Sequence, residues 1–224
     1  MHVIVVANQK GGVGKTTLSG HLAVEAVRTQ SGSVVLIDTD PQGSLSQWWH
    51  ERKAETPHLA QIEPAQLKAQ LALLEASGID IAIIDTPPAV TTTNRQVIAL
   101  ASLVLIPTRP SPHDLRAVGS TIAMAEEAKK KMIFVINGAA QRARITGEAA
   151  ISLSQHGTVA PVTIFQRTDF ASSMIDGRTV QEIDDRSRSA GEVAELWNYV
   201  YTHLRKAEKR RAALSTLTRD YATT

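Results

Sequence analysis

Residues 8–17 read Asn8-Gln9-Lys10-Gly11-Gly12-Val13-Gly14-Lys15-Thr16-Thr17, directly after the apolar run Val3-Ile4-Val5-Val6-Ala7. A glycine-rich loop folds tightly enough for successive backbone N–H groups to converge on phosphate oxygens. A helix starting just after it adds partial positive charge. In that arrangement Gly11, Gly12, Val13 and Gly14 form a cradle. The Lys15 ammonium reaches the β and γ phosphates, the Thr16 hydroxyl can ligate Mg²⁺, and Thr17 can donate one more hydrogen bond. Two further segments carry carboxylates. Asp38-Thr39-Asp40-Pro41-Gln42-Gly43 follows the apolar stretch 34–37, and Asp85-Thr86-Pro87-Pro88 follows the apolar stretch 79–84. Carboxylates at the carboxyl ends of buried strands lie where open α/β sheets bind ligands. Asp40 taken alone reads as the N-cap of a helix over 43–50.

Those groups need a scaffold that brings three strand ends together. Short apolar stretches at 2–7, 34–37, 79–84, 103–107, 132–136 and 159–164 read as strands, mostly without alternation. That pattern suits strands covered on both faces in a parallel sheet. Helical patterns at 15–29, 64–77, 94–101, 113–130, 146–155 and 189–211 alternate with them. The expected fold is therefore α/β: one doubly wound, mostly parallel sheet flanked by helices, spanning residues 1–204. A basic helix end and tail follows at 205–224. The last helix is expected to start at Ser189, with Glu192 completing a capping box. Val193, Leu196, Trp197, Val200 and Leu204 then form an apolar stripe facing the domain.

Composition removes several classes. The 224 residues contain no cysteine, which excludes disulfide scaffolds, cysteine zinc sites, iron–sulfur clusters and thiol catalysis. No run of about 18 apolar residues is present. The N-terminal stretch reads as a first strand and not as a signal peptide, so a cytoplasmic setting is expected. Seven histidines are scattered without metal-ligand spacing. The net charge of +2 hides a gradient. Residues 1–204 carry −2, while 205–224 carry +4 through Arg205, Lys206, Lys209, Arg210, Arg211 and Arg219 against Glu208 and Asp220.

The loop departs from the usual G-x-x-x-x-G-K-[ST], since Gln9 stands where the first glycine would be. Its form, K-G-G-x-G-K-T-T, resembles the deviant Walker A motif of the ParA/MinD superfamily of P-loop ATPases. Asp38 to Gly43 is similar to that family's switch I, and Ile79 to Pro88 to its Walker B strand and switch II. Ile106 to Leu115 resembles its segment near the dimer interface. The resemblance implies ATP and Mg²⁺ as ligands and an ATP-sandwiched homodimer. It implies that Lys10 reaches across to the partner's nucleotide, that Asp40 orients the attacking water, and that Asp38 supports the water shell of Mg²⁺. Asp85 would hold Mg²⁺ through water, since that ion dehydrates reluctantly. Thr86, Pro87 and Pro88 would sense the γ-phosphate. Asn137, at the end of a strand, is a candidate adenine contact or a turn residue. Ile164-Phe165-Gln166-Arg167 is a candidate lining of the base pocket.

Among the branches of the family, short ParA-type partitioning ATPases are the nearest by motif. Iron–sulfur members use cysteines, which this chain lacks. MinD-like members end in an amphipathic membrane-targeting helix. Here Leu204, Leu214 and Leu217 make a thin apolar face, so stable membrane anchoring is not expected. A plasmid or chromosome partitioning ATPase would bind DNA non-specifically as a dimer on the nucleoid. A centromere-binding (ParB-type) partner would release it by stimulating hydrolysis. Candidate phosphate contacts are Arg186, Arg188, Arg205, Lys206, Lys209, Arg210 and Arg211; the alternative is a solvated helix end whose cations suit the helix dipole. Three rival functions remain open: positioning of a protein cargo, a MinD-like membrane-associated division regulator, and a small-molecule synthetase of the dethiobiotin type.

Overall fold

The apolar stretches become the strands β1 (His2–Val6), β2 (Val34–Asp38), β3 (His58–Ala60), β4 (Ile81–Asp85), β5 (Leu103–Thr108), β6 (Met132–Ala139), β7 (Thr158–Val159) and β8 (Ile164–Phe165). The computed structural model describes the backbone of residues 1–222 and the side chains of residues 1–208. The strands form one sheet in the order β3-β2-β4-β1-β5-β6-β7, with β8 also on β6. Every pairing is parallel. Alternate residues of β1 enter opposite cores: Ile4 and Val6 face one, Val3 and Val5 the other. Burial on both faces is why the strands show no polar alternation.

The first core is covered by α1 (Lys15–Arg28), α2 (Ser44–His50), α8 (Thr168–Ser173), α9 (Val180–Ile183) and α10 (Arg188–Ala222). The second lies under α3 (Leu67–Ala76), α4 (Thr92–Leu100), α6 (Gly119–Glu127) and α7 (Arg144–Ser154), with α5 (Pro112–Ala117) leading into α6. The stripe of α10 is buried as its periodicity requires: Val193, Leu196, Trp197, Val200 and Leu204 all lie in the first core. Each such side chain contributes roughly 1.5–3 kcal/mol of transfer free energy. Trp197 also donates through Nε1 to Thr29 and Ser31, at 3.1 and 3.0 Å, which fastens α10 to the end of α1.

Several boundaries differ from expectation, each for a local reason. The stretch 159–164 is two short strands, because Pro161 interrupts any ladder between β7 and β8. The helix expected over 113–130 breaks at Val118 before Gly119, and ends where Lys129 turns to φ 53°. The capping box at Ser189 does not form. The Ser187 hydroxyl caps α10 by accepting from the Ala190 N–H at 3.1 Å, while Ser189 donates to Asp169 and Glu192 is used elsewhere. Asp40 is not the cap of α2 either; that place falls to Gly43 at φ 65°. The strand β3 and the helices α8 and α9 were not expected at all; each is six residues or shorter.

His21 is fully buried in α1. Its Nδ1 donates to the Thr17 carbonyl at 2.7 Å, and its Nε2 accepts from the Val180 N–H at 3.3 Å. Only the neutral ring can do both, because a protonated ring would point a second donor at the Val180 N–H. Burial accordingly lowers its pKa to about 4, with Arg52 adding to the shift and the Thr17 carbonyl and Glu182 opposing it. The unfolded ring titrates near 6.5, so the unfolded state takes up the proton first as pH falls. Stability from this group is complete above pH 6.5 and is lost progressively towards pH 4, about 3 kcal/mol in all. His21→Gln should therefore flatten the slope of unfolding free energy against pH in that window by about one proton. An unchanged slope would sink this account.

Candidate functional site

The loop between β1 and α1 sits at the carboxyl end of the sheet's centre, where the chain leaves β1 for β2 on one side and returns through β4 to β5 on the other. Such a reversal opens a crevice. A cleft of about 550 Å³ occupies it, lined at one end by Gly11, Gly12, Gly14, Lys15, Thr16 and Thr17. Gly14 adopts φ +91°, and a β-carbon there would lie 2.2 Å from Asn137 Nδ2. Both facts require glycine. Lys15 is almost wholly buried, with Nζ donating to the Lys10 carbonyl at 3.2 Å. Burial lowers its pKa, while Asp85 and Asp40 pull the other way. Lys10 itself is exposed at the rim, where its side chain is free to reach outwards.

The strand register brings the carboxylates together. Asp38 and Asp85 are paired partners on β2 and β4. Thr16 donates its hydroxyl to Asp85 Oδ2 at 2.6 Å, while Asp85 Oδ1 is buried without a hydrogen-bond partner among the described residues. Burial pushes the Asp85 carboxyl up to about 7; Asp38 and Asp40 push the same way, while Thr16 and Lys15 oppose them. A buried carboxylate oxygen with no donor, beside a threonine hydroxyl, fits a hydrated divalent cation. Asp38 has a further task. Its Oδ1 accepts from the Asp40 N–H at 3.1 Å and its Oδ2 from the Ser46 N–H at 2.9 Å, bracketing the turn between them. Asp40 lines the cleft itself, and its Oδ1 accepts from the Gln42 N–H at 3.0 Å.

The following helix is anchored from the far side. Arg52 is almost fully buried, donating to the Gly177 carbonyl at 2.6 Å and to both carboxylate oxygens of Glu182. Trp48 donates to the Arg178 carbonyl at 3.2 Å. The turn after β4 is held as firmly: Thr86 donates to the Val6 carbonyl at 2.9 Å, and Pro88 lies against Gly11. Pro87 offers its carbonyl to the buried Asn94 side chain at 3.1 Å.

At the other end the cleft is lined by Asn137, Gly138, Ile164, Phe165, Gln166, Arg167, Phe170 and Ala171. The Asn137 amide donates to the Val13 carbonyl at 2.6 Å, so this side chain bridges the phosphate loop and the far end.

Not every candidate joins this site. Arg186 and Arg188 lie exposed at the start of α10. Arg205 and Lys206 lie about 26 Å further along the same helix at 1.5 Å per residue. The distal region passes the amino-terminal end of the central strand β1, where His2 lies 3.6 Å from Glu208. The structure therefore separates the basic candidates into two groups. The side chains of Lys209, Arg210 and Arg211 lie outside the described residues.

Three residues of the site escaped the sequence reading. Asn8 accepts from the Lys10 N–H at 2.9 Å and donates to the Pro107 carbonyl at 2.8 Å. Thr121, fully buried on α6, accepts from the Gln9 N–H at 3.2 Å. Asn94 braces the turn after β4 by donating to Pro87 and Ala89. Thr91, whose hydroxyl caps α4 at the Asn94 N–H, supplied a local signal for the third. The bonds from Asn8 to Pro107 and from Gln9 to Thr121 span long sequence separations and left none.

The comparisons with known proteins agree with this geometry. Residues 4–180 match the family described as the CobQ/CobB/MinD/ParA nucleotide binding domain. The chain is 31% identical over 207 residues to maintenance of carboxysome distribution protein A of Halothiobacillus neapolitanus, covering 88% of this chain and 95% of that protein. It is 30% identical over 155 residues to the chromosome-partitioning ATPase Soj of Thermus thermophilus, covering 56% of this chain and 62% of that one. Among solved structures, the MinD cell division protein of Aquifex aeolicus superposes with a TM-score of 0.75 at 17% identity, over 89% of this chain and 96% of that one. That likeness is one of fold. The parallel sheet, the phosphate cleft and the family match lead to one statement: the chain belongs to the CobQ/CobB/MinD/ParA family of nucleotide-binding domains.

Proposed function

We propose that the chain is a Mg²⁺-dependent ATPase of the ParA type, in which an ATP-bound homodimer holds DNA non-specifically and lets go on hydrolysis. The observation that carries this reading is the convergence of Lys15, Thr16 and Asp40 on one cleft, with Asp85 buried behind Thr16 and accepting its hydroxyl. Lys15 and the loop N–H groups would bind the phosphates, and Asp40 would orient the attacking water. Thr16, Asp38 and Asp85 would hold Mg²⁺, which when bound supplies neutralising charge to the transferring phosphoryl group. Lys10, exposed on the phosphate loop, would reach the partner's nucleotide. Asn137 and the 164–171 wall would enclose the adenine.

A face-to-face dimer through the phosphate cleft would leave the distal half of each α10 outward, with Arg205 and Lys206 free to meet DNA phosphates. Leu204 is buried in the core and so cannot serve a membrane-binding face. Among the described residues, no helix is long and apolar enough to cross a membrane.

Two cargoes fit. One is DNA itself, handed over through a centromere-binding partner. The other is a protein body carried over the nucleoid, supported by the 31% identity to a carboxysome distribution protein along nearly its whole length. The test is DNA binding with ATP across a salt titration. Binding should require ATP and weaken steeply with salt. Alanine at Arg205 and Lys206 should reduce the log–log slope by about one for each phosphate contact removed. No DNA binding with ATP at low salt would overturn the reading. Whichever partner stimulates hydrolysis then separates the two cargoes.

A further inference from the structure

The wall at the far end of the cleft has little backbone support of its own. The strand β8 is two residues long and meets β6 at Asn137 and Ala139 with an irregular register. The next helix, α8, starts at Thr168, and its N-cap residue, Arg167, makes no side-chain cap. Yet this segment supplies Ile164, Phe165, Gln166 and Arg167 to the cleft.

One carboxylate from another element holds it. Glu192, in the second turn of α10, accepts through Oε2 from the Phe165 backbone N–H at 3.1 Å. Its Oε1 accepts from Arg167 Nε at 3.1 Å and from Arg167 Nη2 at 2.6 Å. Both side chains are mostly buried, at 17% and 12% exposure, so the charge-assisted bonds are shielded from water. The Arg167 guanidinium then lies 5.7 Å from the Phe165 ring centre. A single group thus fixes a backbone amide, a guanidinium and, through it, an aromatic ring, all on the side of the cleft away from the phosphate loop.

We infer that Glu192 is a positioning residue for nucleobase recognition: it sets the Phe165–Arg167 wall against which the base is read, without touching the nucleotide. The inference rests on the ATP-binding reading above. Glu192→Gln keeps size and shape but places an amide donor against donors, so the wall should loosen while the phosphate loop stays intact. Binding of ATP, GTP and inorganic tripolyphosphate, each with Mg²⁺, separates the two ends of the cleft in the full chain. The variant should bind ATP about tenfold more weakly and lose about tenfold of its preference for ATP over GTP, as befits a charged hydrogen bond. Tripolyphosphate affinity and kcat at saturating ATP should change less than about twofold. Arg167→Ala should also weaken ATP binding and the preference for ATP over GTP, which guards against a fault peculiar to one variant. Unchanged ATP affinity, or equal weakening of ATP and tripolyphosphate, would overturn the inference. A wild-type chain that bound tripolyphosphate but not ATP would sink the ATPase reading itself, and this inference with it.

Discussion

Asp40→Ala should retain ATP and the ATP-bound dimer while turnover falls about 100- to 10,000-fold, the range expected on removing a group that handles the attacking water. The geometry makes the two effects separable. Asp40 lines the cleft, but the turn that carries it is bracketed by Asp38, which holds the Asp40 and Ser46 N–H groups. Loss of the Asp40 carboxylate removes one local bond, from the Gln42 N–H, and leaves that bracket intact. It also removes a negative charge near Lys15 and Asp85, which should favour nucleotide binding slightly. ATP affinity by titration, dimerisation by light scattering and phosphate release measured on one preparation decide the matter. A variant that turns over normally, or that stays monomeric with ATP, would contradict the assignment.

Lys15→Ala should act at the earlier step. The ammonium is buried beside Asp85 and Asp40 and donates to the Lys10 carbonyl. Its removal leaves phosphate oxygens facing carboxylates with no cation from the loop. Loss of two charged hydrogen bonds to phosphate predicts ATP binding weaker by about 100-fold or more. The nucleotide-free protein should lose little, because the carbonyl it frees lies on an exposed loop residue. The thermal shift caused by ATP is therefore the sharp measurement. At a concentration about 1,000 times the wild-type Kd, ATP stabilises by about 4 kcal/mol; a 100-fold weaker variant would keep about 1.4. A variant with the full shift would refute the phosphate role of Lys15.

The central features were legible because their signals are local or periodic. The glycine loop followed by Lys15 and Thr16, and the aspartates ending two apolar stretches, announce both the cleft and the sheet that forms it. The burial of β1 on both faces is likewise written in its unbroken apolar run. What stayed hidden depends on distant partners. Glu192 followed a serine at capping-box spacing, so its local pattern pointed to a helix start, whereas tertiary contact with Arg167 and Phe165 takes its carboxylate. Asp40 likewise resembled a cap, and Gly43 took that place through its positive φ. Arg186 and Arg188 stand with the basic tail as candidate phosphate contacts in the sequence, because one-dimensional charge counting is blind to the length of the helix between them.

The position of β1 in the sheet has a kinetic consequence. It precedes its neighbours in the chain, yet its ladder partners are Ile81 to Asp85 on one side and Leu103 to Leu105 on the other. During synthesis, the loop bearing Lys15 and Thr16 emerges long before Asp85 and before the strands that flank it. The earliest nascent chains therefore expose an apolar strand with no edge to join. Closure of so large a loop is entropically slow, as in other folds dominated by non-local pairing. Nucleotide can bind only once that closure is complete, so ATP should slow unfolding of the finished protein far more than it hastens the assembly of the central sheet.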